Sequence, residues 1–151
     1  MLELARECDW IDVKRLSVQI HDLHAAWRPD IYYHSDEPYT KETFLNDIEN
    51  RLIYVCKLDN QIVGYVIVSI QHKGGPGTHK VRLLRLECIC VDKAYRGQGI
   101  GKAMMADVKA LAKAFGCKKI ILGVHPENDG AMIFYQKSGF HIRTINLDLT
   151  L

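Results

Sequence analysis

Leu86-Glu-Cys-Ile-Cys-Val-Asp-Lys-Ala-Tyr-Arg-Gly-Gln-Gly-Ile-Gly-Lys-Ala-Met-Met105 is the stretch on which the reading of this chain turns. Its first half is an apolar, β-branched and cysteine run that predicts a buried strand. Its second half opens a helix whose body continues to about Phe115. Between them lies Arg96-Gly97-Gln98-Gly99-Ile100-Gly101. Glycines at alternate positions, where a strand feeds a helix, let several N–H groups converge on an anion at the positive end of the helix dipole. The pattern is a phosphate cradle. It is not a P-loop, because Arg96 and Ala103 stand where a glycine and a Ser or Thr belong. Nor is it a dinucleotide fingerprint, because Lys102 occupies the place of the third glycine.

Arg96, Gly99 and Gly101 do satisfy Arg/Gln-x-x-Gly-x-Gly/Ala. Downstream, His125-Pro126-Glu127-Asn128 opens a short helix that ends in Tyr135-x-x-x-Gly139-Phe140. A glycine-rich turn by itself could be an ordinary strand-to-helix connection. The two segments together, in this order and at this separation, resemble the Gcn5-related N-acetyltransferases (GNAT), strongly over residues 86–140 and loosely elsewhere. The resemblance implies a mixed, three-layer α/β fold whose central, mostly antiparallel sheet splays between the strands ending at Val91 and Val124. Acetyl-coenzyme A is then expected in that cleft.

At 151 residues, 48% hydrophobic and 25% charged, the chain suits one well-packed domain over 1–151 and is too short to argue for two. A formal charge of +2 advertises no nucleic-acid-sized basic surface. No apolar run approaches membrane-spanning length, and the opening Met-Leu-Glu-Leu-Ala-Arg-Glu lacks the order of a signal peptide, so a cytoplasmic protein is expected. Five scattered cysteines fit reduced thiols better than a disulfide framework.

In chain order, Leu2 to Ala5 predicts a short strand, and Asp9 a cap for a helix through about Ala26. Pro29 stops that helix, and residues 28–40 read as an ordered loop before a second helix, Thr40 (cap) to Glu49. Leu52 to Leu58 and Ile62 to Ile70 predict an antiparallel pair around Asp59-Asn60-Gln61, with Gly64 marking a bulge or a close backbone approach. Gly74-Gly75-Pro76-Gly77 reads as a hairpin loop, since no helix follows to concentrate donors. Strands Val81–Val91 and Lys118–Val124 flank the cradle helix, which ends near Gly116; Asn128 starts the last helix, and Phe140 to Leu149 is expected to close the sheet.

Acetyl transfer to an amine needs a neutral amine, a polarised thioester carbonyl and a proton for the departing thiolate. The resemblance implies that the backbone of Ile89, Cys90 and Val91 binds the pantetheine arm. It likewise assigns the pyrophosphate to Arg96, Gly97 and the amides of Gln98, Gly99, Ile100, Gly101 and Lys102. Asn128 would bond the pantetheine or cap the last helix. Tyr135 matches the general acid; without the motif, a tyrosine ending an apolar helical run reads as a core residue. Glu87, nine residues before Arg96, is the candidate base, acting through water, with a surface pairing to Arg82 or Arg85 as the alternative. Where other members of the family carry a glutamate on the neighbouring strand this chain has Gly123, so that version of the mechanism is excluded. His125 ranks below Glu87 as a base. In the family the loop between the first two helices lines the acceptor side, and Tyr32, Tyr33, Asp36 and Glu37 would suit a cationic amine there. His21 and His24 lack further ligands at metal spacing, and Cys88 and Cys90 read as buried thiols rather than acyl-carrying nucleophiles, so no metal site is expected.

The expected activity is direct acetyl transfer from acetyl-coenzyme A to a primary amine of a small molecule or peptide. A non-catalytic acyl-coenzyme-A sensor or interaction module is the alternative. Nucleic acid and membrane are not expected partners. Homodimers are common in the family, but the sequence locates no interface.

Overall fold

The structure is a computed structural model and describes residues 1–151. Five strands form one sheet in sequence order: β1 (Leu2–Leu4), β2 (Ile53–Leu58), β3 (Gln61–Lys73), β4 (Val81–Val91) and β5 (Lys119–Ile121). All neighbours are antiparallel except β4 and β5, which run parallel. Helices α1 (Trp10–Trp27) and α2 (Lys41–Glu49) cover one face, and α3 (Ile100–Ala114) and α4 (Asp129–Lys137) the other. The α1/α2 face buries Val13, Leu16, Phe44, Val55 and Tyr65; the α3/α4 face buries Val66, Leu84, Met104, Met105 and Val108. No helix is long and apolar enough to cross a membrane.

Local chemistry explains most boundaries. Thr40 caps α2, its hydroxyl accepting from the Thr43 amide at 3.2 Å. Asp59 and Asn60, both at positive φ, form the two-residue loop of the β2–β3 hairpin. Gly64 is a close approach: a Cβ there would lie 2.6 Å from the Cys90 carbonyl oxygen and 3.0 Å from the Met104 sulfur. A bulge in β4 is less legible. Leu86 opposes Val68 and Cys88 opposes Ile67, which leaves Glu87 without an opposite residue. The extra residue inverts the alternation, so that Leu84 and Leu86, then Ile89 and Val91, face α3 while Cys88 and Cys90 face α1.

Three expectations are corrected. Asp9 does not cap α1; its carboxylate accepts from the Arg6 amide at 2.8 Å and closes a short 3-10 turn (Glu7–Asp9) ahead of the helix. The strand expected over Lys118–Val124 is only Lys119–Ile121, because β4 pairs with it at Leu83, Leu84 and Arg85 and then diverges. Phe140–Leu149 does not close the sheet: residues 141–151 are exposed, and the last backbone hydrogen bond before them runs from the Phe140 amide to the Tyr135 carbonyl.

Candidate active site

The divergence of β4 from β5 makes the cleft. Beyond Arg85 the edge of β4 that faces away from β3 has no strand beside it, so Leu86 to Val91 offer free backbone groups there. At its upper end the Val91 carbonyl accepts from the Arg96 guanidinium at 3.0 Å. The chain then makes a 3-10 turn (Lys93–Tyr95), passes through Gly97 (φ 77°) and Gly99 (φ 82°), and enters α3 at Ile100. These left-handed conformations favour glycine. The amides of Gln98, Gly99, Ile100, Gly101 and Lys102 have no acceptor in the protein. Five consecutive donors at the positive end of a 15-residue helix form a site for an oxyanion. Gly101 sets its inner wall, since a Cβ there would stand 3.6 Å from the Phe134 ring and 3.8 Å from Val91. Pyrophosphate chemistry fits this cradle.

The loop is pinned from below by residues the motif does not contain. Buried Asp92 ends β4; its carboxylate accepts from Arg15, from Gln19 at 3.3 Å and from the Ala94 amide at 3.0 Å. Burial pushes the Asp92 carboxyl up, but the guanidinium, the Ala94 amide and Gln19 outweigh it and hold the group below its ordinary value. Gln19 also accepts from the Lys93 amide at 3.0 Å, and the Tyr95 hydroxyl donates to Gln61 at 2.8 Å. The one sequence signal for this anchorage is an Asp directly after an apolar strand and two residues before the amide it caps.

On the opposite wall, α4 starts at Asn128, whose side-chain oxygen accepts from the Ala131 amide at 3.0 Å. The Tyr135 ring lies 5.3 Å from Phe134 and 5.7 Å from Phe140, against the α3 face of the core. Burial, with a smaller contribution from the nearby Cys88, pushes its phenol up to about 12. The hydroxyl has no protein partner yet is not sealed from solvent, so it is free to bond a ligand. Across the sheet, burial pushes the Cys88 thiol up to about 11 and the Cys90 thiol up to about 12, which makes both poor nucleophiles at neutral pH. Glu87 projects from the bulge and accepts from the Ser69 hydroxyl at 2.6 Å and from Arg85 at 3.0 Å.

The acceptor loop divides. Tyr32 turns inward, its hydroxyl 3.5 Å from His125 Nε2, and its ring meets His21, His24 and His125 at centroid distances of 5.9, 5.5 and 5.8 Å. Burial, then the neighbouring His125 and His21, lower the His24 pKa and keep its imidazole neutral. Tyr33, Asp36 and Glu37 do not join this ring cluster: Tyr33 is 83% exposed, Asp36 pairs with His34 at 3.1 Å, and Glu37 pairs with Lys14 at 3.6 Å and accepts from the Lys41 amide. The imidazole and phenol wall was not legible in sequence, since its members come from α1, the loop and the residues after β5.

A sequence model of the acetyltransferase (GNAT) family matches residues 18–140. A glucosamine 6-phosphate N-acetyltransferase from Trypanosoma brucei brucei is 37% identical over 91 residues, a match spanning 59% of this chain and 58% of that protein. An aminoglycoside N(6')-acetyltransferase type 1 from Stenotrophomonas maltophilia is 28% identical over 120 residues, 77% of this chain and 78% of its own. The fold is also that of the aminoglycoside N-acetyltransferase AAC(6')-Iy, solved in complex with CoA. That structure gives a TM-score of 0.73 at 18% identity, covering 100% of this chain and 93% of the other.

Proposed function

The chain belongs to the acetyltransferase (GNAT) family, and we propose that its cleft transfers acetyl from acetyl-coenzyme A directly to a primary amine of a small molecule or peptide, with 1–151 acting as one catalytic domain. The observation that carries this reading is the run of five unpartnered amides, Gln98 to Lys102, standing beside the unpaired edge of β4. Those amides and Arg96 would hold the pyrophosphate, and the backbone of Ile89, Cys90 and Val91 along that edge would hold the pantetheine arm. Bound there, the cofactor supplies an acetyl group activated as a thioester. The backbone of β4 would orient the carbonyl, and Tyr135, whose phenol burial pushes up to about 12 and so keeps protonated throughout the neutral range, would supply the proton for the departing thiolate. Asn128 acts through the start of α4, whose first turn its side chain caps.

On the acceptor side, Tyr32, His24 and His125 present ring faces that suit a cationic amine, and the neutrality of His24 avoids repelling it. The amine proton leaves through water to Glu87. His125, 3.5 Å from the Tyr32 hydroxyl, offers a second acceptor. Relatives named for glucosamine 6-phosphate and aminoglycosides put amino sugars first among the acceptors to try. The test follows thiol release from acetyl-coenzyme A across amino sugars, aminoglycosides, polyamines and short peptides. Turnover is expected with one amine class. Cofactor binding without release from any acceptor would favour a sensor, and failure to bind coenzyme A would overturn the site.

A further inference from the structure

The tip of the β3–β4 hairpin carries charge that nothing in the protein answers. From Asn60 to Leu86 the chain has no Asp or Glu, while Lys73, Lys80 and Arg82 lie together at the tip. Across the ladder Lys73 pairs with Val81, next to Lys80, and His72 pairs with Arg82. Lys118 and Lys119 add to them at the start of β5, the Lys118 amide donating to the Arg82 carbonyl at 2.9 Å. All five cationic residues are exposed, and their side chains hold no carboxylate, whereas those of Arg15, Arg28, Lys57 and Arg85 each do.

The tip is held in one shape. The Gly75 amide donates to the Thr78 hydroxyl at 2.8 Å, and the Thr78 amide donates to the Gly75 carbonyl at 3.0 Å. A Cβ on Gly74 would stand 2.6 Å from both the His79 carbonyl oxygen and the Lys80 Cα, so the glycine lets the two arms close and brings Lys73 towards Lys80. Like charges held together across a ladder cost stability. Here they and Arg82 line a cavity of about 350 Å³, with His72, Gly74 and Val81 completing its wall.

We propose that this cavity binds the phosphate group of a small phosphorylated molecule. Two ammonium groups and a guanidinium match a phosphate monoester, which carries about two negative charges near neutral pH and three strong acceptor oxygens. The planar fork of Arg82 can meet two of those oxygens at once. A lone carboxylate would leave most of the positive charge unanswered. The cavity is separate from the cleft. At about 3.3 Å per residue, Arg82 stands about 30 Å along β4 from Val91 and the cradle, and about 16 Å from Glu87, too far for one phosphorylated amino-sugar ring to bridge.

Amide chemical-shift titration of the full chain with glucose 6-phosphate and with inorganic pyrophosphate tests this. At least one probe is expected to shift the amides of residues 72–82 in a saturable way, and shifts at residues 98–102 report entry to the cradle separately. The Lys80→Gln/Arg82→Gln variant should weaken the hairpin site by about tenfold or more, through the loss of two charged donors, and leave the cradle response unchanged. Should that variant fail to fold, Lys80→Gln alone serves the same comparison. The proposal is overturned if neither probe shifts residues 72–82, or if the variant binds as the wild type does. A hexaglutamate peptide that binds there equally well also overturns it, since that would mark a general basic surface rather than a phosphate site.

Discussion

Helices α3 and α4 lie on the same face of the sheet, touch through Gly101 and Phe134, and begin in opposite ways. Asn128 folds its side chain over the first turn of α4, and Thr40 does the same for α2. α3 starts at Gly99, which has no side chain to offer, and its first amides are left bare. A helix that serves only packing satisfies its own end, because bare donors cost stability once they lose water. An end left open on the rim of a cleft is matched to something that arrives. In the proposed reaction the capped helix contributes a side chain, Tyr135, and the uncapped one its terminus.

The division of labour predicts separable losses. Tyr135→Phe keeps the ring packing and removes the proton, so turnover should fall by about a hundredfold or more while coenzyme A affinity, read by calorimetry, stays unchanged. Equal losses in both would mean that Tyr135 binds rather than protonates. Gly99→Asp puts a carboxylate at the bare end of α3 and also strains a residue held at φ 82°. The carboxylate would bond the first-turn amides and repel pyrophosphate, and coenzyme A affinity should drop about tenfold or more with the acceptor side undisturbed. Unchanged affinity would break the comparison.

Asp92 supports the open end, and its carboxyl titrates lower in the folded chain than in the unfolded one. Its contribution is therefore present above the unfolded value of 3.8 and is lost as pH falls through the folded value. Acid titration should loosen coenzyme A binding in that window. Asp92→Asn should destabilise the chain by about 1–3 kcal/mol at neutral pH and flatten that acid dependence, read by denaturant melts at several pH values. Asn128→Ala is the smallest change: about 1 kcal/mol of stability from the lost cap, with little change in cofactor affinity. A large affinity loss there would assign Asn128 to the ligand rather than to the helix.

Elements whose signals are local were legible. The hairpin at Asp59-Asn60, the cap at Thr40, the close approach at Gly64 and the glycine turn into α3 follow from one or a few neighbouring residues whose backbone preferences leave little choice. The bulge at Glu87 escaped because it is a relation between two strands. The anchorage of Asp92 by Arg15 and Gln19 escaped for a similar reason, since 73 or more positions separate the partners. The pairing of Asp36 with His34 and of Glu37 with Lys14 was likewise not legible, because a loop's charges choose their neighbours only once α1 and α2 have packed.

By itself the sequence determined the family, the cradle and the alternation of the C-terminal segment, all of which depend on residue order over short distances. Tertiary structure decided where β5 stops, which rings surround Tyr32, and that residues 141–151 have no strand beside them within their own chain. An alternating pattern specifies which side chains share a face, but a strand exists only when another backbone supplies its hydrogen bonds.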